Sequence, residues 1–256
     1  VSQCSDDAWR RSMNEEMQRE ASFSGNIDLR IKTAYDNNQR QIRDIEELIA
    51  EKQPFIYLAF SSGLSGTYQA AALAERDLKE KYPEAIFTVI DTKAVCYGLG
   101  HIVYGAAQAA AAGLSMDELL KWINYYIDHV KHVFTVTDLQ YLYRGGRLNK
   151  GTAIIGNMLN INPLLEVSKS GELQQIDKVR GEKKLVKKMV DYLEQHGDQM
   201  NRQTIGISHA DNPELVELFG VIAPTLRAAI RAVYKSGVLN EYKVQKYIQL
   251  NNGCHA

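Results

Sequence analysis

At 256 residues, with 45% hydrophobic and 24% charged side chains, the chain is long enough to bury one sizeable α/β core or two small ones. Its 30 Lys and Arg against 31 Asp and Glu leave a formal net charge of −1, so no whole-chain field draws it to nucleic acid or an anionic membrane, and a small molecule or a protein is the expected partner. Cys4, Cys96 and Cys254 are far apart and odd in number, which argues against a disulfide framework or a C-x-x-C zinc site and for a reducing cytoplasm.

The first residues carry neither the basic region nor the apolar core of a secretory signal, and no run of about 18 apolar residues reads as a membrane span. Behind the acidic start Ser5, Asp6 and Asp7, the residues Trp9, Met13, Met17 and Ala21 recur every four positions as one helical face. Ile27, Leu29, Ile31 and Thr33 then alternate as a strand does. Ile42, Ile45, Leu48 and Ile49 form a second helical stripe that ends before Pro54, and residues 55–60 are a near-unbroken apolar run, as expected of a strand covered on both faces. A helix over Thr67–Lys81, a strand over 87–90 and an alanine-rich helix after Gly98, ending at Gly113, continue the alternation. Ser115 and Glu118 have capping-box spacing for a helix whose Trp122, Ile123, Tyr126, Ile127 and Val130 face inward.

From His132 the style changes. A short strand over 133–136 leads to the loop Arg144-Gly145-Gly146-Arg147, and two β-rich segments, 163–167 and 173–179, flank the hairpin signal Ser170-Gly171. Residues 183–195 are helical, with Leu185, Met189 and Leu193 inward and Lys183, Lys184, Lys187 and Lys188 on a solvated face. A strand over Thr204–His209 precedes a helix opened by Asn212-Pro213. The expected fold is α/β: a Rossmann-like parallel-sheet domain over residues 1–131, carrying a glycine-serine loop, and a second, smaller α+β domain over 132–256 with arginine-glycine loops.

The richest segment chemically is Phe60-Ser61-Ser62-Gly63-Leu64-Ser65-Gly66-Thr67-Tyr68, where a buried strand hands over to a helix. Ligands gather at the carboxyl ends of strands in open α/β sheets, and a helix start offers unpaired N–H groups and a partial positive charge to an anion. Glycines 63 and 66 let backbone approach a ligand, and Ser62, Ser65 and Thr67 add hydroxyls; the competing reading is an ordinary helix cap. A phosphate loop would need a lysine where Thr67 stands. Gly63-Leu64-Ser65-Gly66-Thr67 is one residue short of a nucleophile elbow, which keeps a serine acyl hydrolase open, with His209 as base and Asp138 as its orienter.

No histidine shares metal-ligand spacing with another or with carboxylates, so neither metal nor cofactor is expected; His129 and His132, three apart at a helix end, suit the helix dipole. Cys96 follows a strand and either lines the same crevice or packs as a small hydrophobe. Arg147 and Arg180, each beside glycine, can reach a carboxylate or phosphate across an interdomain cleft, or can instead serve as structural bridges.

The stretches 61–71, Val89-Ile90-Asp91-Thr92-Lys93, Leu142-Tyr143-Arg144-Gly145-Gly146-Arg147, 155–165, Lys178-Val179-Arg180-Gly181 and His209-Ala210-Asp211-Asn212-Pro213 together resemble the DegV family of bacterial lipid-binding proteins, over about residues 55–219. The resemblance implies a two-domain fold that holds a long-chain fatty acid between its domains, with the carboxylate at Ser65 and the helix start, and Arg147 and Arg180 as supports. It further implies a non-enzymatic binder that presents the fatty acid to a separate kinase subunit.

Both ends depart from that pattern. The Thr-Ser-Gln-Pro-Ser segment expected before the glycine loop and the Gly-Thr-His-Thr-Gly-Pro-Gly loop expected after residue 213 are missing, and with them two head-group contacts, each worth about 1.5–3 kcal/mol to a charged ligand. Residues 1–52 instead resemble the first lobe of periplasmic sugar-binding-protein-like sensor domains, which suggests a hybrid chain. A sugar- or small-ligand-sensing module is therefore the alternative function.

Overall fold

Apolar runs and helical stripes alternate along the first half of the chain, and the computed structural model follows them. It describes residues 2–3, 11, 14–15, 18, 22, 30–33, 35, 38–148, 161–197, 204–209, 212–222, 230–235 and 246–251. In chain order the elements are β1 (Ser2–Gln3), β2 (Lys32–Thr33), α1 (Asn38–Ala50), β3 (Phe55–Ala59), α2 (Thr67–Lys81), β4 (Phe87–Asp91), α3 (Cys96–Ala111) and α4 (Met116–His129). There follow β5 (Val130–Thr135), α5 (Gln140–Arg144), β6 (Ile161–Val167), β7 (Leu173–Arg180), α6 (Glu182–His196), β8 (Thr204–His209), α7 (Pro213–Ile222), β9 (Ile230–Lys235) and β10 (Lys246–Asn251). The fold is mixed α/β.

Among the described residues three sheets carry it. β1 and β2 pair in parallel, as do β3 and β4, while six strands run in the order β7-β6-β5-β10-β8-β9. The sequence suggests one parallel sheet in the first half; among the described residues it is two separate strand pairs. Arg11, Asn14, Glu15, Gln18 and Ser22 are helical, whereas Trp9, Met13, Met17, Ala21, Ile27 and Leu29, which carry the expected first helix and strand, lie outside the described residues.

The register of β3 and β4 matters most for function. Phe55 pairs with Phe87, and Ala59 with Asp91, so both strands end at one level and their following loops lie side by side. The Phe55 and Phe87 rings stack at 4.9 Å beside buried Ile49 and Leu78, which fixes that register from the other end. Of the expected α1 stripe, Ile45 and Ile49 face this cluster, but Ile42 and Leu48 are exposed.

Neighbouring residues of the large sheet serve opposite faces, as strand pleating dictates. Val133 and Leu164 join Leu185, Met189, Leu193, Ile207 and Phe219 under α6 and α7. Phe134 and Leu165 join Val136, Leu139, Leu142 and Leu148 on the other side. Each such side chain contributes about 1.5–3 kcal/mol when fully buried. The inward set of α6 includes Val186, Val190 and Tyr192 beside the expected Leu185, Met189 and Leu193, and its four lysines are exposed as expected.

Two boundaries differ from the sequence reading. α3 begins at Cys96, before Gly98, because its glycines answer packing: a Cβ at Gly105 would fall 2.2 Å from the Trp122 ring of α4. β5 starts at Val130 directly after α4, not at 133, because Val130–Thr135 is held by antiparallel pairing to β10, a distant segment in sequence.

Candidate functional site

Residues 60–66 leave β3 and enter α2, and the loop is held by an ordered set of bonds. Ser61 N–H donates to Ala94 O at 3.1 Å, and the N–H groups of Leu64 and Ser65 both donate to Ser61 O at 3.1 Å. Ser62 is fastened to the end of β4: its N–H and its hydroxyl donate to the two carboxylate oxygens of Asp91, at 3.1 and 2.5 Å, and Lys93 N–H donates to the same carboxylate at 3.1 Å. Thr92, fully buried, donates its hydroxyl to Ala59 O at 2.7 Å and ties the two strand ends together. The loop is thus built before any ligand arrives.

Its outer rim has spare donors. The Ser65 and Thr67 hydroxyls are hydrogen-bonded to one another at 2.7 Å, and Thr67 N–H donates to Ser65 Oγ at 3.3 Å. Gly66 is the N-cap of α2 and supplies no side-chain cap. Among the described residues the N–H groups of Gly66, Tyr68 and Gln69 have no acceptor, whereas Ala70 N–H closes the first turn onto Gly66 O. These amides and the paired hydroxyls lie at the positive end of a 15-residue helix, where the chemistry suits an anion.

Arg147 reaches this rim from the second half of the chain. α5 ends in a turn in which Gly146 takes φ 69° and Arg147 N–H returns to Leu142 O at 2.9 Å. That turn sends the Arg147 guanidinium to the serine loop, where Nε donates to Leu64 O at 3.1 Å and Nη1 to Gly145 O at 2.5 Å. Arg180, at the end of β7, is exposed, and no hydrogen bond among the described residues links it to the loop. The structure therefore gathers Ser65, Gly66, Thr67 and Arg147 at one loop, ties the polar groups of Ser62 to Asp91, and among the described residues gives Arg180 no hydrogen bond to that loop. Sequence reasoning passed over Asp91 as a site residue; its signal was an acid at a strand end in register with the start of a glycine loop. It also gave Gly171 only a turn role, although Ser61 Oγ donates to Gly171 O at 2.6 Å.

The other candidates find ordinary roles. His209 Nδ1 accepts the Asn212 N–H at 3.1 Å, Asp138 accepts the Gln140 N–H at 2.8 Å, and the hydroxyl of Ser65 meets Thr67, so among the described residues no hydrogen bond joins this serine, histidine and acid. His129 bonds the Tyr125 carbonyl in the last turn of α4, as a dipole partner would. His132 does not share that role. It lies in β5, buried, its Nε2 accepting the Val95 N–H at 3.4 Å, and burial pushes its pKa down to about 4. Burial also lowers the pKa of His101. Cys96 is exposed at the start of α3, so it is not a small core hydrophobe. Among the described residues no group of three His, Cys, Asp or Glu side chains is placed to hold a metal ion, and no helix is long and apolar enough to cross a membrane.

A second, polar concavity at the end of β2 is lined by Lys32, Tyr35, Arg40, Arg43, Asp44 and Glu47. Its charges answer one another: Lys32 pairs with Glu47 and, at 3.8 Å, with Asp44, and the Arg40 guanidinium lies 5.0 Å from the Tyr35 ring centroid.

A parallel strand pair ending in a serine-glycine loop, a helix start without a side-chain cap and an arginine brought from a second sheet are the features of this α/β fold that bear on its class. The chain belongs to the DegV family: the profile of that family, described as uncharacterised proteins, matches residues 23–239. The match extends beyond residues 55–219 at both ends, so residues 23–52, which the sequence reading likened to a sugar-binding lobe, lie within it. A DegV domain-containing protein of Clostridium perfringens is 40% identical over 202 residues, covering 79% of this chain and 67% of that one. One from Lactococcus lactis is 38% identical over 161 residues, covering 63% and 56%. The chain thus spans between about half and two thirds of the length of these relatives.

Solved structures share the fold. The fatty acid kinase B3 protein of Streptococcus pneumoniae loaded with linoleic acid has a TM-score of 0.71 at 22% identity, over 84% of this chain and 76% of that one. A DegV family protein of Eubacterium eligens loaded with heptadecanoic acid has 0.69 at 22%, over 90% and 87%. A fatty-acid-binding DegV protein of Thermus thermophilus has 0.70 at 24%, over 83% and 76%.

Proposed function

We propose that this chain binds one long-chain fatty acid without transforming it. The carboxylate sits at the start of α2, on the Ser65 and Thr67 hydroxyls and the open amides of Gly66, Tyr68 and Gln69, with Arg147 supplying positive charge. The acyl chain runs between residues 1–131 and residues 132–256, taken as two domains. The observation that carries this reading is the open helix start facing Arg147, in a chain whose family relatives include proteins described with bound fatty acids. Ser62 holds the loop through Asp91, and Arg180 flanks the site. No metal or cofactor enters this reading. The place of action is the cytoplasm, and the partner is a fatty-acid kinase subunit to which the head group is presented, by analogy with the Streptococcus pneumoniae relative.

Magnitudes divide the work between head and tail. Each buried methylene contributes about 0.8 kcal/mol, so a long chain supplies most of the affinity, whereas one hydrogen bond to a charged group supplies about 1.5–3 kcal/mol. Ser65→Ala should therefore weaken binding about tenfold or somewhat more without abolishing it. Displacement of a fluorescent fatty acid checks this; unchanged affinity in Ser65→Ala would move the carboxylate elsewhere.

A further inference from the structure

The serine loop touches the second half of the chain at one further place, and there the two backbones interlock. Gly171 closes the hairpin between β6 and β7 at φ 84°. Its carbonyl accepts the Ser61 hydroxyl at 2.6 Å, and Ser61 is fully buried. A Cβ on Gly171 would fall 2.1 Å from Ser61 Oγ and 3.2 Å from Lys93 Cα, and a Cβ on Gly63 would fall 2.7 Å from the Gly171 carbonyl oxygen. Both glycines are required by this approach, and Gly171 by its left-handed backbone as well. The same hydroxyl also accepts the Gly63 N–H at 3.3 Å, so Ser61 links the hairpin tip to the backbone that sets the loop. Arg147 holds the loop at the next residue after Gly63, through Leu64 O.

We infer that Ser61 and Gly171 are positioning residues: the hairpin tip of the second half locks the serine loop in the shape that aims its donors at a carboxylate. The inference rests on the reading of the α2 start as a head-group site. Ser61 touches no ligand. It acts by keeping the binding-competent loop dominant, and apparent affinity falls in proportion as that fraction falls. Losing a buried hydroxyl bond of this kind lowers the ratio of locked to unlocked loop by up to about tenfold, and affinity falls by at most that factor.

Two measurements on Ser61→Ala and Gly171→Ala test this. In the ligand-free proteins, amide hydrogen exchange at Gly63, Leu64 and Ser65 should accelerate about tenfold while the amides of α6 keep their rates. Unchanged exchange at those three positions overturns the lock, and because no ligand is present this outcome is independent of the fatty-acid reading. In displacement assays both variants should bind a fatty acid more weakly than the parent chain, by up to about tenfold, bind the fatty alcohol of equal length as the parent does, and combine without a further loss. Equal losses for acid and alcohol would mean general destabilisation and would overturn the inference. Should Gly171→Ala fail to fold, Ser61→Ala alone decides it. Failure of the parent chain to bind fatty acid would remove the proposed function and leave the exchange result to stand by itself.

Discussion

His132 shows how a single residue reports its surroundings. Burial between α3 and β5 pushes its pKa to about 4, and a Cβ on Gly98 would fall 2.2 Å from its Nε2. The unfolded chain titrates this imidazole near 6.5, so between about pH 6.5 and 4 the unfolded state takes up a proton that the native state refuses. The associated stability is fully present above about pH 6.5 and is lost as the pH falls to about 4, on the order of 3 kcal/mol in all. Urea titrations from pH 7 to pH 4 should show that loss in the parent chain and a shallower one in His132→Gln; equal slopes would contradict the burial argument. From sequence this histidine reads as a helix-end residue, because His129 and His132 are one turn apart. Only the β5–β10 pairing, absent from any local pattern, makes it a strand residue. By contrast the placement of Ser65 and Thr67 at a helix start is legible, since hydroxyls and glycines clustered between an apolar run and a helix are a local signal.

Two helix starts in this chain are built differently. α4 satisfies itself: Ser115 Oγ accepts the Glu118 N–H at 3.4 Å, and the Glu118 carboxylate accepts the Ser115 N–H at 2.8 Å. α2 has no side-chain cap and leaves three amides open among the described residues. A bound carboxylate should therefore protect Gly66, Tyr68 and Gln69 from hydrogen exchange and leave the amides at Met116 and Glu118 unaffected. Protection at both helices, or at neither, would contradict the assignment. Several element positions are readable because periodicity and caps are local: α2 spans the predicted Thr67–Lys81 and β8 the predicted Thr204–His209. β9 and β10 were missed. Their place in the sheet is set by register to β8 and β5, segments distant in sequence, and that register leaves no local pattern.

At the scale of the whole molecule, the site exists because two sheets meet. The β3–β4 pair supplies the loop and the helix start, while the six-stranded sheet supplies Arg147 and the Gly171 tip. The sequence could name the arginine-glycine and hairpin loops but could not place them, since long-range contacts such as Leu64 with Arg147 and Ser61 with Gly171 leave no periodic trace. It also could not separate Arg147 from Arg180, which have the same local chemistry and different surroundings. A formal charge of −1 is consistent with this division of labour, because one carboxylate needs a few placed donors and no global field. The central claim is that a single fatty acid occupies the space behind the α2 start, and native mass spectrometry of the chain purified from bacteria, with lipid extraction of the same sample, tests it most directly. One fatty acid per chain, lost on denaturation and reduced in occupancy by Ser65→Ala, is the predicted result; an unliganded mass that persists after incubation with long-chain fatty acids would contradict it.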